Sequence, residues 1–110
     1  MTRRLPHLAD GVVVLRPWKV DDALALMAAC REPEISYWCG LPSPYTFGHA
    51  VSWIGETKPA WSDSRDAHLA IDDAATGEVA GAVDLLGVDP VESYGRFRYW
   101  VRAAWARDDL

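Results

Sequence analysis

Between Tyr94 and Val101 the chain reads YGRFRYWV, with arginines spaced among aromatic side chains. On a strand this spacing places Phe97, Tyr99 and Val101 on one face, and Arg96, Arg98, Trp100 and Arg102 on the other. Cations beside flat rings can stack on exposed bases, as the sheet of an RNA-recognition module does. The glycine–aromatic pattern of such modules is poorly matched, however. The formal net charge of −5 also opposes the electrostatic footprint of a nucleic-acid binder. The simpler reading buries Phe97, Tyr99 and Val101 in a core and leaves the arginines in water.

A second aromatic pair, Tyr37 and Trp38, lies just before Gly40, Leu41 and Pro42. These residues form either a ligand-facing wall or a hydrophobic plug beneath the loop. His49 reads as an exposed helix residue and His68 as a strand residue, neither as a base. Cys30 and Cys39 form no CxxC pair, and the three histidines lack zinc-type spacing, so no metal is expected. Without a secretory segment, both cysteines read as free thiols in a reducing compartment, and the cytoplasm is the expected location. The chain has no GxSxG elbow, no glycine-rich loop followed by Lys-Ser/Thr, and no GxGxxG, so those nucleophile and phosphate chemistries are not expected.

The elements that must carry these residues follow from periodicity. With 110 residues, one domain spanning 1–110 is expected, its first ten residues a loose tail. Half of the residues are apolar and six are Trp, the composition of a globular chain with a thin but bulky core. The longest apolar run, Ala23 to Cys30, is too short to span a bilayer, and no membrane partner is expected. Val12, Val13 and Val14 favour a strand that Pro17 ends. Ala23, Leu26, Met27 and Cys30 repeat at helical spacing behind Asp21 and Asp22, and Pro33 closes that helix. A short turn of helix then ends at Gly40. Thr46 predicts the N-cap of a third helix through Phe47, Ala50, Val51, Ile54 and Trp61, kinked or broken at Pro59. The period then changes to two: AHLAIDD, EVAGAVDLLGV and SYGRFRYWVRA read as three strands joined by short turns. On the second of these, Val79, Gly81, Val83 and Leu85 share a face. The fold class is α+β, a mixed, mostly antiparallel sheet with N-terminal helices packed on it, in the order β-α-α-α-β-β-β.

In this order and spacing, Leu15-Arg16-Pro17-Trp18 before an Asp-Asp helix start, a Pro-Glu-Ile segment leading through Trp38 to Gly40-Leu41-Pro42, and ATGEVAGAVDLLGVD followed by YWVR resemble a GCN5-related N-acetyltransferase. The branch is that of the ribosomal-protein N-terminal acetyltransferases, and the likeness runs from about Gly11 to Arg102. The resemblance implies acetyl transfer from acetyl-CoA to a primary amine, on a peptide N-terminus or a small molecule, by direct attack. It implies that Tyr99, Trp100, Val101 and Arg102 contact the cofactor, and that Tyr37, Trp38, Gly40 and Leu41 face the acceptor.

The sequence also departs from that pattern. A glycine-rich pyrophosphate loop should occupy Ala106 to Leu110, but the stretch ARDDL has no glycine and two aspartates. One carboxylate about 4 Å from a phosphate charge costs up to roughly 4 kcal/mol at an effective dielectric near 20. Where the branch often has Glu-Ile-Gly-Tyr, this chain has Arg96-Phe97-Arg98-Tyr99, so no catalytic residue is assigned. The expectation is therefore an incomplete, catalytically impaired N-terminal half. The alternative is a non-enzymatic interaction module, a homodimer or a chain awaiting a complement, pairing through its open last strand.

Overall fold

The computed structural model describes residues 8–9, 11–64, 66–89 and 94–105. Among these residues, five strands form one antiparallel sheet in sequence order: β1 (Leu8–Ala9), β2 (Val13–Pro17), β3 (Ala67–Asp73), β4 (Val79–Asp89) and β5 (Tyr94–Val101). Three helices enter between β2 and β3: α1 (Ala23–Cys30), α2 (Pro33–Cys39) and α3 (Phe47–Ser64). The α+β layout read from the sequence is thus present. Two residues of the expected loose tail, Leu8 and Ala9, instead pair with Leu15 and Val14 of β2.

Local chemistry explains the helix ends. Pro33 occupies the first turn of α2, where its missing N–H costs nothing, and Gly40 ends the helix at φ +61°, a conformation glycine adopts freely. Thr46 caps α3: its Oγ1 accepts the His49 N–H at 3.1 Å, while the Thr46 N–H donates to His49 Nδ1 at 3.0 Å. This is a capping box with histidine in the place usually held by Glu or Gln. The helix continues through Pro59 without the expected break. Of the two expected outcomes the break is absent: one lost backbone bond is a local defect in a helix anchored at buried Ala50, Ile54 and Thr57.

The core lies between the helices and one face of the sheet. Trp18, Leu26, Cys30, Tyr45, Ala50 and Ile54 pack against Ala70, Val79 and Ala82, and Trp100 of β5 joins them. Ala70, Ala82 and Trp100 are direct cross-strand neighbours, so the small alanines give the helices close approach and the indole fills the end of the row. The burial assigned to β5 from its alternation is therefore reversed. Phe97 is 67% exposed and Tyr99 66%, stacked at 6.4 Å on the sheet face away from the helices, while Trp100 turns inward. Both faces of β5 carry large apolar groups, and the face the helices cover was decided by Ala70 and Ala82. The shared face on β4 is also interrupted. Asp72 pairs with Val79 while Ile71 pairs with Gly81, so an irregularity between them puts Val79 on the Ala82 side.

A half-buried ion network ties β2 to β3 and to the turn that leads into α1. The Arg16 guanidinium donates to Asp22 at 2.8 and 2.9 Å and to Asp72 at 2.6 and 3.1 Å. The hydrogen bond to Asp22 does most to raise the Arg16 pKa above its ordinary value, against the opposing effect of burial. Burial alone would raise Asp22, but Arg16 and the Lys19 N–H outweigh it and hold the carboxyl below its usual range.

Candidate functional site

A cavity of about 230 Å³ opens between the helices and the end of the sheet. Leu26 and Cys30 come from α1, Trp38 and Cys39 from α2, Leu41 and Tyr45 from the loop after it, and Trp53 from α3. Asp84 of β4 and Arg98, Tyr99 and Trp100 of β5 complete the lining. Of the residues marked by resemblance, the structure brings together Trp38, Leu41, Tyr99 and Trp100. It leaves Tyr37, Gly40, Val101 and Arg102 outside this lining.

Tyr37 and Trp38 are 77% and 79% exposed, their rings edge to face at 5.2 Å. They are not a plug beneath the loop. Trp38, in the last turn of α2, borders the cavity, and Ile35 alone of that helix is buried. Arg102 is engaged elsewhere: its Nε–H donates to Glu32 at 2.8 Å, and the other oxygen of Glu32 accepts the Ala103 N–H at 2.9 Å. The Trp105 indole N–H donates to Asp73 at 2.9 Å, and this bond does most to hold the Asp73 carboxyl below its usual range. The stretch after β5 is thereby fastened to the start of α2 and to the end of β3.

A polar cluster that reaches the cavity through Asp84 and Arg98 was not singled out in the sequence. His68, Asp84 and Arg98 are direct neighbours across β3, β4 and β5. Asp84 Oδ1 lies 2.8 Å from His68 Nδ1, and Oδ2 accepts Arg98 Nε–H at 3.0 Å. The His68 ring meets Trp53 edge-on at 5.2 Å, and Trp53 meets Trp18 at 5.6 Å. His68 and Asp84 stand sixteen positions apart in sequence, so no local motif unites them. A signal did exist: both are equally far from Thr76, in the turn that joins β3 to β4.

Burial pushes the Cys30 thiol up to about 12, with Cys39 nearby adding to the effect. Burial likewise raises Tyr45 to about 12, and raises Cys39. All three stay neutral at pH 7, so neither thiol is an activated nucleophile. Both cysteines are free. No helix among the described residues is long and apolar enough to cross a membrane.

β5 is the last strand of the sheet, and among the described residues only β4 pairs with it. Its outer backbone edge is the one the resemblance gives to the pantetheine arm of acetyl-CoA. The Ala106–Leu110 stretch, expected to lack a pyrophosphate cradle, lies outside the described residues, as does the side chain of Arg96.

The architecture is thus an α+β domain, an antiparallel sheet with helices inserted after its second strand and a cleft against the last strand. The acetyltransferase (GNAT) domain model matches residues 13–108, and the chain belongs to that family. No curated protein matches it in sequence. Among solved structures it is similar to a Vibrio cholerae protein assigned as a ribosomal-protein-serine acetyltransferase. The TM-score is 0.80 at 17% identity, over 99% of this chain and 61% of that one. RimL, a ribosomal alpha-N-protein acetyltransferase solved in its apo form, superposes at TM-score 0.75 and 12% identity, over 94% of this chain and 57% of RimL. MccE, the microcin C7 self-immunity acetyltransferase solved with acetyl-CoA and AMP, gives 0.74 at 16%, over 92% and 57%. The chain thus spans about 57 to 61% of the length of these three structures.

Proposed function

We propose that this chain is the acceptor-side half of an acetyl-CoA-dependent N-acetyltransferase and is catalytically impaired by itself. The observation that carries this reading is the cavity. Trp38 and Leu41, expected on the acceptor side, line it together with Trp100 and the Tyr99 position of the strand expected to meet the cofactor, although the Tyr99 ring lies on the opposite sheet face. An amine seated there lies beside the edge strand on which a thioester would be laid. The outer edge of β5, unpaired among the described residues, suits the amide groups of a pantetheine arm, and acetyl-CoA supplies the thioester when bound. Backbone N–H groups on that edge would stabilise charge developing on the thioester oxygen. Only a neutral amine attacks, so its proton must first pass to the chain or to water. The acceptor is a primary amine, on a peptide N-terminus or a small molecule, and the two thiols suit a reducing, cytoplasmic setting. The impairment rests on the ARDDL stretch, which has none of the glycines that let backbone amides close on a diphosphate. Isothermal titration of the 110-residue chain with acetyl-CoA tests this. Binding weaker than about 1 mM, some 4 kcal/mol, is expected; micromolar binding removes the impairment from the reading.

A second reading is favoured by Phe97 and Tyr99, which expose a stacked aromatic pair on an edge strand. Through this strand the chain would pair with a second copy or a complementing chain. Sedimentation velocity across a range of concentrations separates the two: a strictly monomeric chain sinks the pairing module.

A further inference from the structure

We infer that a second copy of this chain pairs with it along the outer edge of β5, antiparallel and centred on Tyr99, so that two sheets become one. This rests on the second reading above, pairing through the last strand, and names its partner and its register.

The backbone decides which residues are offered. The Arg102 N–H donates to the Ala80 oxygen at 2.8 Å, and Trp100 and Arg98 stand opposite Ala82 and Asp84. In an antiparallel ladder, residues that bond to the neighbouring strand alternate with residues that do not. Arg98, Trp100 and Arg102 therefore turn their backbone groups toward β4, and Phe97, Tyr99, Val101 and Ala103 turn theirs away. The last of these is taken, because the Ala103 N–H donates to Glu32 at 2.9 Å. Phe97, Tyr99 and Val101 remain, and among the described residues nothing pairs with their outer side. An open strand edge of this kind is a template for another strand.

The side chains beside that edge suit a protein surface. Phe97 and Tyr99 are exposed on the sheet face away from the helices. Tyr37 and Trp38 are exposed on the helical side, where Trp38 borders the same cavity as Trp100. Removing these four rings from water would bury on the order of 500 Å² per copy. A stable pair needs about 800 Å² per partner, so the rings supply most of it.

Self-complementarity selects a second copy and one register. Centred on Tyr99, the pair sets Tyr99 against Tyr99 and Phe97 against Val101 on either side, which uses every open residue of both copies. Arg98 then stands opposite Trp100, whose ring attracts a cation. Centring the pair on Phe97, Arg98 or Trp100 sets Arg98 against Arg96, Arg98 or Arg102, and like charges directly opposite each other destabilise a ladder. In the Tyr99 register Arg96 meets Arg102 only beyond the bonded pairs, and Glu32 already balances Arg102 at 2.8 Å. A chain paired in this way has no open edge left for a pantetheine arm, so the two uses of β5 exclude each other.

Disulfide trapping reads the register, in chains that carry Cys39→Ser, with diamide as oxidant and non-reducing electrophoresis as the readout. Opposed residues of a bonded pair stand about 5.5 Å apart at Cα, within disulfide reach, and residues two places further along do not. Tyr99→Cys chains should therefore cross-link to one another at least about tenfold faster than Arg98→Cys chains. A mixture of Phe97→Cys and Val101→Cys chains should cross-link where neither does alone, and this arm keeps the Tyr99 ring in place. Arg98→Cys linking as fast as Tyr99→Cys, or a mixture no faster than its components, overturns the assignment. Sedimentation velocity of the unaltered chain separates this inference from its parent. A dimer without the cross-linking pattern overturns the register and leaves the second reading standing, whereas a strict monomer sinks both.

Discussion

Asp22 shows what a single carboxylate contributes. It is 8% exposed, bonds twice to Arg16 and accepts the Lys19 N–H at 2.8 Å. Folding holds its pKa below the ordinary 3.8, so the unfolded chain takes up this proton more readily. Its stabilisation is complete above that value and drains away as pH falls through the lower folded-state pKa. Asp22→Asn should cost about 1–3 kcal/mol at pH 7, the range for a hydrogen-bonded charged group. The gap from the unaltered chain should close in acid, as urea unfolding at pH 7 and pH 3 would show. Chemical labelling provides a second check at this scale. With Cys30 held near 12 by burial, alkylation at pH 7.5 should spare it until the chain unfolds, whereas exposed Cys39 should react first but slowly. Peptide mass mapping distinguishes the two.

Among the elements, the helices were the easiest to read. Pro33, Gly40 and Thr46 act through their own backbone chemistry, and each stands where a helix begins or ends. The strands were read correctly as strands, but not as faces. Alternation divides β5 into two sets without saying which set the helices cover. The answer lay in Ala70 and Ala82 on other strands, beyond the reach of a local pattern. The polar cluster beside the cavity stayed hidden for the same reason. His68, Asp84 and Arg98 meet only once β3, β4 and β5 are in register. Gly81 is where that register can be tested, because a Cβ there would run into the Trp100 carbonyl oxygen. Gly81→Ala should force β4 and β5 apart at a cost of about 1–3 kcal/mol, as for an overpacked core site. Tryptophan fluorescence should report the accompanying shift of Trp100, and a stability equal to that of the unaltered chain would show the strands can yield.

For the whole molecule, one sheet face is covered by helices and the other presents Phe97 and Tyr99 to solvent. Family membership was legible from the order of its pieces, and the domain match over residues 13–108 bears it out. The aromatic pair gives the second reading of function a direct handle. Replacing both residues by lysine should lower any concentration-dependent association, because charge on an edge strand opposes strand addition. Light scattering of the Phe97→Lys/Tyr99→Lys chain against the unaltered one measures this. It should leave the helix-covered core intact, since neither side chain belongs to it.

Glu32 has a consequence of its own. Standing immediately before α2, it grips Arg102 and the Ala103 amide with its two oxygens, across seventy positions of sequence. The helix that carries Trp38 and the far tip of β5 are therefore yoked like two arms of one lever. A guest that displaces the indole at one arm will tug the other, and the Ala103 amide resonance is where an NMR spectroscopist should watch for the pull.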